Sequence, residues 1–268
     1  TIPLNNKRVI VRLDLNVPLE NSKIKDYTRI KVIQEFLIKL IEKKAKIILI
    51  SHLGRPKGKI VSDMSLKPVL EYLEKKLDSK IYFFKEKIDH SAVDASKNLK
   101  GGEILLIENI RFFKEEENDD ENFAKDLSKL GDLYINEAFS CSHRKQASLH
   151  NITKFIDSYG GPLLNKEIQS INLIIKNKKK PVTCIIGGSK VSTKINVILN
   201  LLKSANNLVI VGAMANNFIK FKGFNIGASL IEKGAWEILI SSLTLKAISG
   251  SINGFENFLE EIFFGSIS

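Results

Sequence analysis

The stretch "KIILISHLGRPKG", Lys46 to Gly58, decides the fold. Its first half is an unbroken aliphatic run, Ile47-Ile48-Leu49-Ile50, the pattern of a short strand buried on both faces. Its second half packs a histidine, an arginine, two glycines and a proline into one turn. Gly and Pro serve a chain reversal through their backbone angles, but a turn alone has no use for His52 and Arg55. A bound anion is the first expectation this mixture raises.

The same plan recurs outward from that stretch. "RVIVRLDLNVP", "PVTCIIGGSK" and "NLVIVGAMAN" are again short β-branched runs that end in a glycine or polar turn, and "EILLIENIRF" and "DLYINEAFS" follow suit without the glycine. Helical patterns lie between them: Ile30 to Lys43 places Ile30, Ile33, Leu37, Leu40 and Ile41 on one face, and "SLKPVLEYLEKKL" is a second helix that Ser65 could cap. Apolar strands alternating with amphipathic helices predict an α/β fold with parallel sheets covered on both faces. In such sheets ligands gather at the carboxyl ends of strands, and "SHLGRPKG" falls at one of those ends.

At the midpoint, "YGGPLLNKEIQSINLIIKNKKKP" opens on Gly160, Gly161 and Pro162, continues with helical periodicity and closes on a lysine run before Pro181. It predicts a helix joining two domains: 1–160, a connecting helix over 161–179, and 180–268. Lys178 to Lys180 are expected to be a solvated helix end, with cations near the negative pole of the dipole.

The net charge of +11 brings polyanion binding into consideration, but the 30 acidic residues are interspersed with the 41 basic ones along the whole length. That argues against a nucleic-acid stripe, and a chain so rich in Ile, Lys and Asn carries basicity as a compositional bias. Cys141 and Cys184 stand far apart without a histidine pair at metal-ligand spacing, so neither a disulfide framework nor a zinc site is indicated, and a reducing cytoplasm fits. The start "TIPLNNKRVIVRLD" lacks the basic and apolar regions of a signal peptide, and no apolar run approaches a membrane span.

Several residues carry candidate chemistry. Asp14 and Asn16 alternate with Leu13, Leu15 and Val17, which places both polar side chains on one face, where they could hold hydroxyl groups or close a turn. Arg29, Arg55, Arg111 and Arg144 stand where strands end or helices begin in a chain that strongly prefers lysine; with His52 they would form one basic pocket for a small phosphorylated acid. "CIIGGSKVSTKI" predicts a strand, two glycines and then a helix carrying Lys190 and Lys194 on one face. That is a nucleotide-phosphate site or simply a tight strand-to-helix turn, and it lacks Walker A spacing. "KEEENDDEN", Lys114 to Asn122, lacks EF-hand spacing and is expected to be a solvated loop and helix start. His143 beside Cys141 has no third member for a nucleophilic triad, His90 and His150 carry no pattern, and no metal ligands are expected.

Taken together, "RLDLNVP", "SHLGRPKG", "LLIENIRFFKEEE", "YINEAFSCSHRKQAS", "GGPLLNKEI", "GGSKVSTKI" and "VGAMANNF" resemble the phosphoglycerate kinase family, in its order and rough spacing, over about residues 4 to 233. The resemblance implies two Rossmann-like three-layer domains joined by a hinge helix, the acid on the first and Mg2+ with ATP or ADP on the second. It implies reversible phosphoryl transfer between 1,3-bisphosphoglycerate and ADP, giving 3-phosphoglycerate and ATP. Asp14 and Asn16 would hold the glycerate. Arg29 would hold its carboxyl end and steady the transferring phosphoryl. His52, Leu53, Gly54 and Arg55 of the phosphate loop, with Arg111 and Arg144, would clamp the non-reacting phosphate. Gly187, Gly188, Ser189, Lys190 and Lys194 would face the nucleotide, with Arg29 and Lys190 as the catalytic pair.

After Lys233 the match decays, and "NGFENF", Asn253 to Phe258, only faintly resembles a family segment. The C-terminal domain is therefore expected to be incomplete, as in a fragment or a frameshifted product rather than a shortened relative, with acid binding kept and turnover weak or absent. A monomer is expected, with no nucleic-acid or membrane partner. The alternative from another class is a non-catalytic phosphometabolite-binding relative.

Overall fold

The structure, a computed structural model, describes residues 2–176, 181–202, 205–234 and 262–264. The lysine run 178–180 and the segment 253–258 lie outside the described residues. The chain divides into two compact units, Thr1–Ser170 and Ile171–Ser268.

The first unit is built on six parallel strands. In chain order its elements are β1 (Arg8–Leu13), the small hairpin β2 (Leu19–Glu20) and β3 (Lys23–Ile24), α1 (Thr28–Glu42), β4 (Lys46–Ser51), α2 (Lys67–Lys76), β5 (Ile81–Phe84), α3 (His90–Asn98), β6 (Ile104–Ile107), α4 (Lys114–Glu117), α5 (Glu121–Ser128), β7 (Leu133–Asn136), β8 (Ser158–Gly160) and α6 (Pro162–Lys176). The sheet order is β5-β6-β4-β1-β7-β8, every pair parallel.

Side chains alternate across β1 and β4 and so feed two apolar layers. Val9, Val11, Leu13, Ile47 and Leu49 pack under α1 and α2 with Ile30, Ile33, Leu37 and Val69. Ile10, Ile48 and Ile50 pack on the opposite face against Ala92 of α3 and Phe123 and Leu127 of α5. Each such side chain, fully buried, stabilises the fold by about 1.5–3 kcal/mol. Arg12 is two residues from Ile10 and therefore on the same face, yet it too is fully buried. Ser65 accepts the Lys67 N–H at 3.2 Å, so the hydroxyl reaches the first turn of α2 although the helix begins two residues later.

The boundary between the units falls inside α6. The start of this helix is held by Glu137, just past β7, whose Oε2 accepts the N–H groups of Leu163 at 2.8 Å and Leu164 at 3.1 Å. Burial raises the Glu137 carboxyl pKa, and the Leu164 and Leu163 amides oppose that rise; the arrangement is an N-terminal cap supplied from another element. A Cβ on Gly161 would overlap that carboxylate. Gly161→Ala is accordingly expected to displace the cap and destabilise the first unit by about 1–3 kcal/mol. Urea unfolding checks this, and an unchanged midpoint would show that the cap contributes nothing.

The second unit contains β9 (Thr183–Gly187), α7 (Ile195–Leu202), β10 (Asn207–Val211), α8 (Ala213–Phe221) and β11 (Ile262–Phe264). The strands form a parallel sheet in the order β11-β10-β9. Its core gathers Ile186, Ile198, Leu199, Leu208, Ile210, Met214 and Phe218, whereas Ile185, on the other face of β9, is 71% exposed.

Candidate functional site

The carboxyl ends of β1, β4, β6 and β7 bring the predicted residues of the first unit together. After β1, Asp14 forms an ion pair with Arg29 of α1 and accepts from the Ser140 hydroxyl, and Asn16 accepts the Gly54 N–H at 2.8 Å. After β4, His52 and Leu53 are buried and Arg55 is exposed, with no hydrogen bond or ion pair among the described residues. Gly54 has φ +62°, a left-handed conformation, and a Cβ there would sit 2.8 Å from Met64 Sδ, so the loop needs a glycine at this point. After β6, Asn109 braces the loop: its Oδ1 accepts the Leu53 N–H at 3.2 Å, and its Nδ2 donates to the carbonyls of Leu53 at 2.7 Å and Met64 at 2.8 Å.

Arg111 is the most unusual member. It is 2% exposed, and Nη1 donates to the Gly54 carbonyl at 2.8 Å, but Nε and Nη2 have no hydrogen-bond partner. Burial, followed by the neighbouring charges of Arg12 and Arg144, lowers its pKa. Glu117, 3.9 Å from Nε, is the only opposing charge paired with it among the described residues. Buried donors facing like charges are costly unless an anion neutralises them. This feature fits a phosphate.

Behind the cluster lies a buried polar chain that strand periodicity does not reveal. Arg12 donates through Nε to Ser148 Oγ at 2.8 Å and through Nη1 to the Leu13 carbonyl at 2.6 Å, and lies 3.8 Å from Glu116. Glu116 in turn accepts from the Ser148 hydroxyl at 2.6 Å and the Ser148 N–H at 2.8 Å, and Tyr134 donates to the Ser148 carbonyl at 2.8 Å. The expectation of a solvated "KEEENDDEN" loop is thus corrected at Glu116, which is fully buried because it neutralises Arg12. Cys141 is buried, with its thiol pKa raised chiefly by desolvation, which disfavours the thiolate form.

His52 is held neutral. Desolvation first, then the charges of Arg12, Arg111, Arg144 and Arg29, push its pKa from 6.5 down to about 2. Between those values the unfolded chain binds the extra proton, so stability is complete above about pH 6.5 and is lost as pH falls, by up to ~1.4 kcal/mol per unit. His52→Gln is expected to remove roughly 2–3 kcal/mol of the stability difference between pH 7 and pH 4.5. Urea midpoints at the two pH values measure this; identical slopes for both proteins would contradict it.

In the second unit the predicted helix placement is corrected: α7 starts at Ile195, so Lys190 and Lys194 lie in the loop before it. The physical reason is Glu232, whose carboxylate accepts the N–H groups of Val191 at 2.7 Å and Ser192 at 3.0 Å and the Ser192 hydroxyl, gathering the loop into a turn. Lys194 folds back to donate to the Gly187 carbonyl at 2.8 Å, and Lys190 is exposed beside Ser189. The start of α8 closes on this loop, with the Met214 N–H donating to the Gly188 carbonyl at 2.8 Å. Glu232 carried no signal of its own in the sequence.

Among the described residues no helix is long and apolar enough to cross a membrane, and no group of three or more His, Cys, Asp or Glu is placed to hold a metal ion. The family model described as Phosphoglycerate kinase matches residues 1–250. The phosphoglycerate kinase of Bartonella bacilliformis is 46% identical over 229 residues, covering 85% of this chain and 57% of that protein. That of Finegoldia magna is 45% identical over 242 residues, covering 90% and 61%. The solved structure of phosphoglycerate kinase from Coxiella burnetii superposes with a TM-score of 0.80 at 36% identity, covering 94% of this chain and 63% of that one. The chain therefore spans about three fifths of the length of these relatives, and on this evidence it belongs to the phosphoglycerate kinase family.

Proposed function

We propose that the chain takes part in the reaction of its family, reversible phosphoryl transfer between 1,3-bisphosphoglycerate and ADP to give 3-phosphoglycerate and ATP, with the first unit holding the acid. The observation that carries this reading is Arg111, a buried guanidinium with two nitrogens that lack a hydrogen-bond partner, set beside other cations. His52, Arg55, Arg111 and Arg144 would hold the non-reacting phosphate, aided by the backbone of Leu53 and Gly54. Asn16, whose Oδ1 is already engaged by Gly54, keeps its amide hydrogens for the glycerate, alongside Asp14. Arg29 would exchange its pairing with Asp14 for the carboxyl end of the acid.

In the second unit Gly187, Gly188, Ser189, Lys190 and Lys194 would face the nucleotide phosphates, Lys194 leaving the Gly187 carbonyl to do so. A magnesium ion bound with the nucleotide would neutralise charge on its phosphates. In-line phosphoryl transfer asks protein groups for position and positive charge more than for covalent help, which is what arginines, lysines and amides supply. The protein is expected to work as a monomer in the cytoplasm. No observation favours the non-catalytic phosphometabolite-binding alternative.

Calorimetric titration of the chain with 3-phosphoglycerate at low salt tests the reading. Micromolar-to-millimolar binding is expected, weakened about tenfold in Arg55→Ala through loss of a charge-assisted contact. No detectable binding by the folded chain overturns it. A coupled assay measures turnover separately.

A further inference from the structure

We infer that Arg12 is a positioning residue that fixes His52 as the neutral tautomer protonated on Nε2, leaving that N–H as the ring's donor to the bound anion. The inference rests on the anion-binding reading above but is tested independently of it. Arg12 Nη1 and Nη2 each lie 3.4 Å from His52 Nδ1. A guanidinium carries donors only, so a proton on Nδ1 would be aimed into two N–H groups; Nδ1 must present its lone pair. The proton of a neutral ring then sits on Nε2.

Arg12 is itself anchored on several sides. Its Nε is tied to Ser148 Oγ at 2.8 Å and its Nη1 to the Leu13 carbonyl at 2.6 Å, and Glu116, hydrogen-bonded to Ser148, neutralises it from behind. The other charges acting on His52 come from Arg29 on α1, Arg111 in the turn after β6 and Arg144 after β7. All are cations, and together with burial they exclude the doubly protonated ring. A histidine set this way donates to phosphate without titrating near neutrality, in contrast to an ordinary histidine. Arg12 thus acts on the anion through His52.

The experiment is long-range 1H–15N correlation NMR on the full chain with 15N-labelled histidine, without ligand, from about pH 5 to 8. Expected for His52 is a protonated-type Nε2 and an unprotonated-type Nδ1, unchanged across the range. A protonated Nδ1 or an imidazolium at neutral pH overturns the inference. Arg12→Lys keeps a cation but loses the fork; His52 is then expected to sample both tautomers, with 3-phosphoglycerate affinity falling about tenfold. A folded Arg12→Lys chain with the His52 tautomer unchanged means a merely structural arginine and also overturns it. If that variant does not fold, Ser148→Ala, which removes the anchor of Arg12 Nε, takes its place with the same expected and opposing results. Failure of 3-phosphoglycerate to bind a chain showing the Nε2–H tautomer would count against the function proposed above and not against this role of Arg12.

Discussion

Arg111→Ala is expected to weaken 3-phosphoglycerate binding by about 3–4 kcal/mol, a 100- to 1,000-fold rise in Kd, without destabilising the free protein. The two halves of this expectation share one cause. Nε and Nη2 of Arg111 are buried without a hydrogen-bond partner, Glu117 lying 3.9 Å from Nε, so an anion gains two charge-assisted hydrogen bonds from groups that have already lost their water. The free protein bears the desolvation of that guanidinium and its repulsion from Arg12 and Arg144. Alanine relieves both but loses the bond to the Gly54 carbonyl, about 1.5–3 kcal/mol for a charged donor, and the pairing with Glu117, so the two sides roughly cancel and the urea midpoint should stay close to that of the parent. Arg111→Lys restores the charge but not the planar fork, and should recover only part of the affinity. Binding within threefold of the parent in the alanine variant would remove Arg111 from the site.

The second large effect concerns stability. Glu116→Ala is expected to destabilise the first unit by about 3–5 kcal/mol, because it leaves Arg12 as an uncompensated buried charge and strips the Ser148 amide and hydroxyl of their acceptor. Against the 5–15 kcal/mol typical of a domain, that is enough to bring it near unfolding. The Glu116 carboxyl is pulled two ways: complete burial raises its pKa, while the Arg12 charge and the Ser148 bonds oppose the rise. Glu116→Gln keeps the shape and should cost less than alanine. Replacing both members together, Arg12→Met with Glu116→Leu, should recover much of the loss, since a buried pair is dispensable in a way that half of it is not. Thermal or urea unfolding of the three variants decides; an alanine variant as stable as the parent would mean that water reaches Arg12.

The strands that were legible are those with enough aliphatic residues to show burial on both faces, β1, β4, β6, β7, β9 and β10, and the helices with sustained periodicity, α1, α2 and α6. β5 is the four residues Ile81–Phe84 between lysines, and β8 is three exposed residues, Ser158–Gly160. Neither carries a period; each exists because a neighbouring strand offers an unpaired edge. The arginines of the site could be read from their places at strand ends, but Arg12 stood inside a strand, where a polar residue ordinarily marks a solvated face. Its burial depends on a partner more than a hundred residues later, and within Glu115-Glu116-Glu117 nothing local tells which carboxylate turns inward. Glu232 was equally silent, because a single acidic residue gains meaning only from the amides the fold carries to it.

β1, the middle of the sheet, is made long before the neighbour that completes it. Val9 pairs with Leu133, 124 residues further on, and Arg12 waits for Ser148, 136 residues away. At ribosomal speeds of about 5–20 residues per second, the flank of β1 that β7 will cover stays open for roughly 6–25 s in every round of synthesis. During that interval "RVIVRL" is an aliphatic segment with an unpaired edge, the kind that recruits other chains. Arg8 and Arg12 place positive charges towards its two ends, where residues that guard exposed strands against aggregation are found. A chain with both arginines replaced by aliphatic residues is accordingly expected to aggregate more during synthesis, which the soluble fraction after translation would measure.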